Sequence, residues 1–305
     1  MQDLNEIVNR LDKEFKIKEF GKDSAFSRFI PNVYDPIKFD WKAIFEKEFV
    51  ELFNGLMLRG ASNIEKVFLA VFPTDYVLEK FIEESNEGDL LFMHHPLLME
   101  CGDPYGSWGK GFVPINEKYI DQIKQKKLSI YTCHVPMDCH KQLSTNIAIA
   151  KELNAKVIDK DPINDQSNDF VLYCNIENSD TQSLITMLKE IFNIPYVDFE
   201  GQELQDIQKV AIVAGCGDVV DWMEEAERNG VQAYITGEIH CHIDNEYGKQ
   251  KFNRIMDYAS KTSMSLIGVS HSASEYLVHQ TLMKNWFEKN FDIKTFLIPQ
   301  EKWWL

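Results

Sequence analysis

Histidines that lie close to carboxylates are the residues of this sequence best suited to chemistry. The apolar run in "LLFMHHPLLM" stops at two adjacent histidines, His94 and His95. Three later segments also place histidine near a carboxylate: "HVPMD" with His134 and Asp138, "ITGEIHCH" with Glu238, His240 and His242, and "HSASE" with His271 and Glu275. Imidazole and carboxylate groups are common ligands of divalent transition metals. The residue types therefore indicate a metal site.

Placement along the chain strengthens this interpretation. Seven of the eight histidines follow directly after a predicted strand, and ligands of parallel α/β sheets bind beyond the carboxyl ends of the strands. One such histidine alone is more often exposed or hydrogen-bonded, but four strand ends with similar content favour metal binding. His140 and His279 are better explained as structural or exposed, and His240 fits either a ligand pair with His242 or a half-exposed loop.

The double histidine suits two metals better than one. Neighbouring side chains of an extended chain point to opposite sides, and Pro96 keeps His95 out of the helical conformation. In "HSASE" a helix start would put the histidine and the glutamate on one face. In "HVPMD" Pro136 disfavours a regular helix, so a turn is expected to join His134 to Asp138.

The elements that must position these residues alternate between strand and helix. This alternation predicts an α/β fold with mostly parallel sheets covered by helices. The predicted strands are 66–72, 89–93, 128–133, 170–176, 209–215, 231–237 and 264–270. The predicted helices are 2–15, 41–53, 74–85 with a Thr N-cap, 116–126, 144–154 with a Ser N-cap, 180–192, 219–229, 246–261 and 273–289.

Two α/β lobes are expected, covering residues 1–157 and 158–305, or one intertwined domain. The polar segment "IDKDPINDQSND" (158–169) marks the boundary, since it precedes a new strand–helix run. The first lobe carries "HHPLL" and "HVPMD", and the second carries "ITGE" and "HSASE".

Composition excludes several classes of function. A formal net charge of −16 over 305 residues argues against broad binding to nucleic acid, which needs basic side chains. The charged amino terminus is unlike a signal peptide, and no apolar run approaches a membrane span. The six cysteines show no CxxC pair, so thiols in a cytoplasmic protein are expected, although Cys133, Cys139 and Cys241 lie near histidine motifs.

Other reaction classes lack their sequence motifs. The chain contains no GxSxG, no GxxxxGK[ST], and no GxGxxG opening a helix. The glycine turn "AGCGD" (214–218) either connects a strand to a helix, the favoured interpretation, or lets backbone amides approach an anion.

The motifs "HHPLL", "HVPMD", "AGCGD", "ITGEIHCH" and "HSASE", in this order, resemble the Nif-three-like dinuclear-metal family. Its members are often named GTP cyclohydrolase I type-two homologues. The resemblance runs from about residue 50 to the carboxyl terminus. It implies two related α/β lobes, two divalent metals in the cleft between them, and a toroidal homohexamer.

The resemblance also implies roles for individual residues. The implied metal ligands are His94, His95, Asp138, His271 and Glu275. Thr236, Glu238 and His242 match a motif near the metals and are expected to support the ligands or face the substrate. His134 opens the Asp motif and is a candidate proton relay.

Three departures from the family pattern concern substrate recognition more than metal binding. Phe72 stands where the family usually has Asp, and Ser270 stands where it has Gly before the late histidine. The glycine-rich turn after Asp138 is replaced by "CHKQLSTN". The implied metal ligands are unaffected.

The expected function is that of a dinuclear metal-dependent hydrolase. Two ions (Zn, Fe, Mn, Co or Ni) would share a hydroxide that attacks a small-molecule substrate, with Glu238 or His134 moving the proton. The family name suggests a purine nucleotide such as GTP. The alternative is a non-enzymatic hexameric scaffold, metal reservoir or regulator without turnover.

Overall fold

The computed structural model describes residues 1–99, 109–158, 170–240 and 242–301. The strands of these ranges are β1 (Gln2–Asp3), β2 (Gly55–Leu58), β3 (Asn63–Ile64), β4 (Lys66–Ala70), β5 (Leu90–Met93), β6 (Leu98–Met99), β7 (Val113–Pro114), β8 (Ser129–Thr132), β9 (Lys156–Val157), β10 (Leu172–Ser179), β11 (Asp198–Gly201), β12 (Ile207–Val213), β13 (Ala233–Thr236), β14 (Ser265–Gly268) and β15 (Lys294–Leu297).

The helices alternate with the strands from α6 onward, as the sequence predicts. They are α1 (Leu4–Glu14), α2 (Ile17–Phe20), α3 (Phe26–Tyr34), α4 (Trp41–Ile44), α5 (Lys47–Leu52), α6 (Asp75–Glu84), α7 (Glu117–Gln125), α8 (Val135–Asp138), α9 (Thr145–Glu152), α10 (Thr181–Phe192), α11 (Val220–Arg228), α12 (Glu246–Ala259), α13 (His271–Val278) and α14 (Lys284–Asn290). A π-helical segment, His279–Met283, joins the last two.

The caps predicted from the sequence are present. The Thr74 hydroxyl accepts from Val77 N at 3.1 Å and begins α6, and the Ser144 hydroxyl accepts from Ile147 N at 3.2 Å and begins α9. Each cap satisfies one amide of a first helical turn. These two helices therefore begin where their polar first residues place them.

The chain divides into two compact units. The first comprises, among the described residues, 1–99, 112–140 and 279–301. Its main sheet has the order β15-β4-β5-β8-β2, in which β15, β4, β5 and β8 run parallel and β2 runs antiparallel to β8. The carboxyl ends of β5 and β8 therefore lie side by side, and the chain after them carries His94, His95 and His134.

The second unit comprises the described residues 109–111, 141–158, 170–240 and 242–278. Its sheet has the order β11-β14-β13-β12-β10-β9, with β12, β13 and β14 parallel. The remaining pairs, β11–β14, β10–β12 and β9–β10, are antiparallel. The ends of the three parallel strands lead into the glycine turn, the "TGE" segment and His271.

Each unit has its own hydrophobic core. In the first unit, large aromatic side chains such as Phe26, Tyr34, Phe49 and Phe68 are fully buried. In the second unit the core is mostly aliphatic around Tyr234. Both sheets are thus mixed and covered by helices, which confirms the α/β fold class.

Several elements differ from the prediction. The helix expected over 41–53 is two short helices, α4 and α5. No helix was predicted for the polar, proline-containing stretch 21–36 between the first two predicted helices, but it contains α3, with Pro31 inside it. The last helix begins at His271 rather than residue 273, and the π-helical segment interrupts it. The strands β2, β11 and β15 were not predicted from the sequence.

The predicted lobe boundary at 158–169 lies, apart from residue 158, outside the described residues, as does most of the loop 101–111. The boundary stays a prediction. Among the described residues, every helix is too short or too polar to cross a lipid bilayer.

Candidate metal centre

The first cluster, composed of His94, His95, His134 and Asp138, belongs to the first unit. His94 N donates to Ala70 O at 3.3 Å and His95 N to Val71 O at 3.0 Å. The hydrogen bonds between β4 and β5 therefore continue past the end of β5 into the double histidine. The two adjacent rings have centroids 5.1 Å apart and planes at 73°. Both side chains are buried, with 0% and 2% of their surface exposed.

The hydrogen bonds of His94 define its tautomer. Its Nδ1 lies 2.8 Å from the carbonyl oxygen of Cys133, which can only accept, so Nδ1 carries the proton. Its Nε2 lies 3.3 Å from Asp138 Oδ1. In the neutral ring this places a nitrogen lone pair opposite a carboxylate oxygen.

His134 and Asp138 are joined by one helical turn, α8, instead of the non-helical turn expected from Pro136. The expectation was wrong because proline is tolerated in the first turn of a helix, where its missing N–H has no intrahelical acceptor. His134 N donates to Asn54 Oδ1 at 2.7 Å, which fixes the start of this turn.

Asp23 is a partner of His134 that sequence reasoning missed. Its Oδ2 lies 2.8 Å from His134 Nδ1, and its Oδ1 accepts from the amides of Ala25 and Phe26 at 2.9 Å each. Burial disfavours the charged carboxylate, but the charge of His134 and these hydrogen bonds outweigh it and lower the pKa of Asp23 to about 2. Burial likewise opposes a charge on His134, yet Asp23 raises the pKa of that ring above its ordinary value.

Aromatic rings wall this cluster. Phe26 meets His134 edge-on with ring centroids 4.6 Å apart, and Phe72 lies 4.2 Å from the His95 ring. Phe72 is 1% exposed. The cluster thus has an apolar face beside His95 and His134.

The second cluster, composed of His271, Glu275, Glu238 and Cys216, belongs to the second unit. His271 Nε2 lies 3.1 Å from Glu275 Oε1, which is one helical turn further along α13. His271 Nδ1 lies 3.1 Å from Glu238 Oε1 and 3.5 Å from Cys216 Sγ. The imidazole is therefore held between two carboxylates and a thiol.

The charges of this cluster are strongly coupled. Burial opposes a positive charge on His271, but the neighbouring Cys216, Glu275 and Glu238 raise its pKa well above the ordinary value. Burial also opposes the Glu238 carboxylate, and His271 nevertheless lowers the pKa of Glu238. A cation at this position is thus stabilised by the surrounding carboxylates.

The glycine turn after β12 leaves room for the second cluster. Gly215 has φ +69°, and a Cβ there would lie 2.3 Å from Glu275 Oε1. The Thr236 hydroxyl accepts from Gly217 N at 3.0 Å, and Gly215 O accepts from Glu238 N at 3.0 Å. Thr236 therefore ties the glycine turn to the "TGE" segment, and its role toward a metal or a substrate stays a prediction.

Ser270 holds the entry to α13 in an unusual conformation. Its φ is +93°, which favours glycine, and its hydroxyl accepts from Ala273 N at 3.1 Å. The serine thus supplies a hydrogen bond to the first turn of α13 but carries backbone strain.

The residues around "EIHCH" form a separate set of contacts. His240 is held between Asp198 Oδ2 at 2.9 Å and Glu200 Oε1 at 3.2 Å, both from β11. The His242 ring packs against His240 and Phe252, with centroids 5.8 Å and 5.6 Å away. His240 is thus an ion-paired, largely buried side chain. This arrangement favours neither a ligand pair with His242 nor a half-exposed loop. Cys241 lies outside the described residues.

A buried ion pair lies beside the glycine turn. Lys251 Nζ is 2.5 Å from Asp218 Oδ1, and the Asp218 side chain is fully buried. Burial raises the pKa of Asp218 to about 6 against the opposing charge of Lys251. Sequence reasoning named neither residue as a functional candidate.

Each unit of this α/β protein thus carries a buried cluster of histidine and carboxylate at the ends of parallel strands. The model of the Duf34/NIF3 (NGG1p interacting factor 3) family matches residues 52–302. The chain therefore belongs to this family, which confirms the resemblance seen in the motifs.

Relatives and solved structures support the assignment. A "GTP cyclohydrolase 1 type 2 homolog" of Pyrococcus abyssi is 27% identical over 251 residues, covering 80% of this chain and 88% of the relative. The solved structure of a protein named ybgI, of unknown function, has a TM-score of 0.70 at 16% identity, covering 99% of this chain and 100% of that one. The structure of TTHA1606 from Thermus thermophilus has a TM-score of 0.63 at 19% identity, with 99% of each chain covered. The two structures show the same fold.

Proposed function

We propose that this protein binds two divalent metal ions per chain and uses them to hydrolyse a purine nucleotide or a related small molecule. The observation that carries the proposal is the arrangement around His94. With Nδ1–H committed to a carbonyl oxygen, Nε2 and Asp138 Oδ1 are two acceptors 3.3 Å apart. Two acceptor atoms at this distance repel each other unless a proton or a cation lies between them.

The donor set of the first cluster fits a metal. Two ligands at about 2.1 Å from one ion, at angles between 90° and 110°, lie roughly 3.0–3.4 Å apart, and the His94–Asp138 separation of 3.3 Å agrees with this range. A histidine whose other ring nitrogen donates to a carbonyl is also the usual state of a metal-ligating imidazole. His94, His95 and Asp138 would be ligands here, and that the two adjacent histidines reach different ions stays a prediction.

The donor set of the second cluster fits as well. His271 Nε2 and Glu275 Oε1 are 3.1 Å apart, and Glu238 accepts the Nδ1 proton at 3.1 Å. A carboxylate on the far nitrogen of a ligating histidine fixes the tautomer and strengthens the ligand. His271 and Glu275 would hold an ion in this unit. That both ions share one cleft stays a prediction.

The residues of the chain have distinct tasks in the proposed reaction. The bound ions would supply Lewis acidity and an activated water. Glu238 holds the Nδ1 proton of His271 and is the carboxylate assigned to proton transfer. Phe26 and Phe72 keep water away from the His95 face, which strengthens electrostatic interactions there.

The substrate class rests on the names of relatives. Several carry the name GTP cyclohydrolase 1 type 2 homolog, and the corresponding reaction would open the imidazole ring of GTP with water and release formate. The two clusters suit metal-dependent hydrolysis in general and do not by themselves select a substrate. The names of the relatives therefore make GTP the first substrate to test.

Metal analysis and formate release test the proposal together. Protein purified without chelator should contain about two ions per chain by inductively coupled plasma mass spectrometry, and His94→Ala should contain fewer. His140→Ala is the matched control, since His140 lies in the same unit against Phe15 and Glu14. Metal-free wild type after reconstitution would refute metal binding.

Turnover separates the enzyme from the alternative scaffold. Formate released from GTP by metal-loaded wild type, but not by His94→Ala or Glu238→Ala, would support the hydrolase. A metal-loaded wild type inactive on GTP and on a broad panel of phosphoesters and cyclic amides would favour the metal-binding scaffold or reservoir. We also propose the homohexamer implied by the family, which light scattering after size-exclusion chromatography tests directly.

A further inference from the structure

We infer that His134 is a third imidazole ligand of the metal site in the first unit and that Asp23 is the carboxylate that orients it. The inference rests on the proposed metal binding and extends it to two residues outside the ligand set implied by the family. Asp23 also precedes residue 52, where the match to the family model begins.

The first argument is the convergence of three rings. One nitrogen each of His94, His95 and His134 lie within 4.8 Å of one another. Three ligand atoms on a single ion, at ~2.1 Å bond lengths and tetrahedral angles, lie about 3.4 Å from one another. From separations of up to 4.8 Å, ring movements of less than about 1 Å each would bring three imidazole nitrogens onto one ion, or onto a close pair of ions.

The second argument is the orientation of His134. Its Nδ1 faces Asp23 Oδ2 at 2.8 Å, which leaves Nε2 as the ligand atom. Its ring centroid lies 5.2 Å from each of the His94 and His95 rings. A carboxylate–histidine pair with the distal nitrogen turned toward other histidines is the arrangement that orients metal-ligating imidazoles in zinc proteins.

The third argument is that Asp23 is itself fixed. Its Oδ1 accepts two backbone amide hydrogen bonds at the start of α3, and its side chain is fully buried. On the other side, the His134 amide donates to Asn54 Oδ1 at 2.7 Å. The imidazole thus has both its backbone and its ring held before any ligand arrives, which is the preorganisation that a ligand needs.

Ligation explains these contacts better than proton relay. An imidazole held by a carboxylate can be a general base or a metal ligand, so the surroundings of Nε2 decide between the two roles. Asp23 is held as an acceptor by two amides, and the other face of the ring meets the two neighbouring imidazoles and Phe26. The resulting site, with three nitrogens and the Asp138 oxygen, favours Zn²⁺, Co²⁺ or Ni²⁺ over Mg²⁺.

Zinc affinity tests the inference on the full-length protein. Zn²⁺ is titrated against a chromophoric chelator for wild type, Asp23→Asn and His134→Gln. Asp23→Asn keeps an oxygen that can accept from both amides, and loss of such an outer carboxylate typically weakens metal binding by about 10–100-fold. His134→Gln should weaken the tighter zinc site at least as much. Circular dichroism of the metal-free variants verifies that they fold.

Matched controls come from the same unit. His140→Gln removes a carboxylate-paired histidine away from the cluster, and Asp12→Asn removes a carboxylate hydrogen-bonded to Tyr131. Both should bind zinc as wild type does. If wild type binds zinc and folded His134→Gln and Asp23→Asn bind it equally well, His134 is not a ligand, while the proposed function stands. If wild type binds no zinc, cobalt or manganese, both proposals fail together.

Discussion

Replacing Gly215 by alanine tests whether the Glu275 carboxylate must stay beside His271 for metal to bind. Gly215 has φ +69°, and the added Cβ would lie 2.3 Å from Glu275 Oε1 and 3.2 Å from His271 Nε2. A residue with a Cβ in this left-handed region costs about 1–2 kcal/mol. The carboxylate is the end of a flexible side chain, so it can swing away at little further cost.

Gly230→Ala is the matched control in the same unit. Gly230 has φ +74°, and a Cβ there meets nothing within 4 Å. Both variants should therefore lose about 1–2 kcal/mol of unfolding free energy. Only Gly215→Ala displaces a proposed ligand, so it alone should weaken zinc binding, by at least about tenfold, which corresponds to ~1.4 kcal/mol.

Two assays on the same preparations decide the outcome. Urea unfolding of the metal-free proteins, followed by circular dichroism, measures the backbone strain, and competition with a chelator measures zinc affinity. If Gly215→Ala loses as much unfolding free energy as Gly230→Ala but binds zinc at both sites with wild-type affinity, Glu275 is not a ligand. That result would refute the assignment of the second cluster.

Three further predictions concern single residues. The pKa of Asp23 is lowered from 3.8 to about 2, so this carboxylate is protonated at a higher pH in the unfolded chain than in the folded one. Metal-free wild type should therefore lose about 2 kcal/mol of unfolding free energy as pH falls from 4 to 2. Asp23→Asn should lack this acid-dependent loss in urea unfolding, and an unchanged profile would contradict the ion pair with His134. Ser270→Ala and Ser270→Gly both lose the hydroxyl cap on Ala273, but only the alanine variant keeps a Cβ at φ +93°. Ser270→Ala should therefore be less stable than Ser270→Gly by about 1–2 kcal/mol, and equal unfolding midpoints would exclude backbone strain. Phe72→Ala removes a buried ring from the face of His95 and should cost about 3–5 kcal/mol of unfolding free energy, whereas a loss below about 1 kcal/mol would show that the ring contributes little packing.

The alternation of strands and helices could be predicted from the sequence because it depends on local patterns. Apolar runs such as those of β5 and β12 and polar caps such as Thr74 and Ser144 are read within a few residues. α3 was not predicted, because Pro31 and its polar neighbours suggest a loop, although Phe26, Ile30 and Tyr34 at helical spacing are buried on one face. Those three apolar positions were the signal available. β15 pairs with β4 across more than 200 residues, a relation that local pattern does not contain.

The candidate site could be predicted only in part, for the same reason. The histidines and their nearby carboxylates lie within short motifs at strand ends, so their types and spacing were visible. Asp23 precedes His134 by 111 residues and stands in a segment interpreted as a polar connection, so no spacing rule connects them. The pairing of Asp218 with Lys251 is likewise a tertiary contact, from the glycine turn to α12.

The two clusters differ in the chemistry of their donors, and this difference has a consequence for the metals. The first unit offers the imidazoles of His94, His95 and His134 with one carboxylate, whereas the second offers the imidazole of His271 with the carboxylate of Glu275. Nitrogen-rich sites hold Zn²⁺, Co²⁺ and Ni²⁺ more tightly, and carboxylate-rich sites accept Mn²⁺ and Mg²⁺ more readily. We therefore expect titration with Zn²⁺ to fill the first unit before the second. His94→Ala should remove the tighter binding step and Glu275→Gln the weaker one, and the opposite assignment of the two steps would show that burial, rather than donor type, controls affinity in this protein.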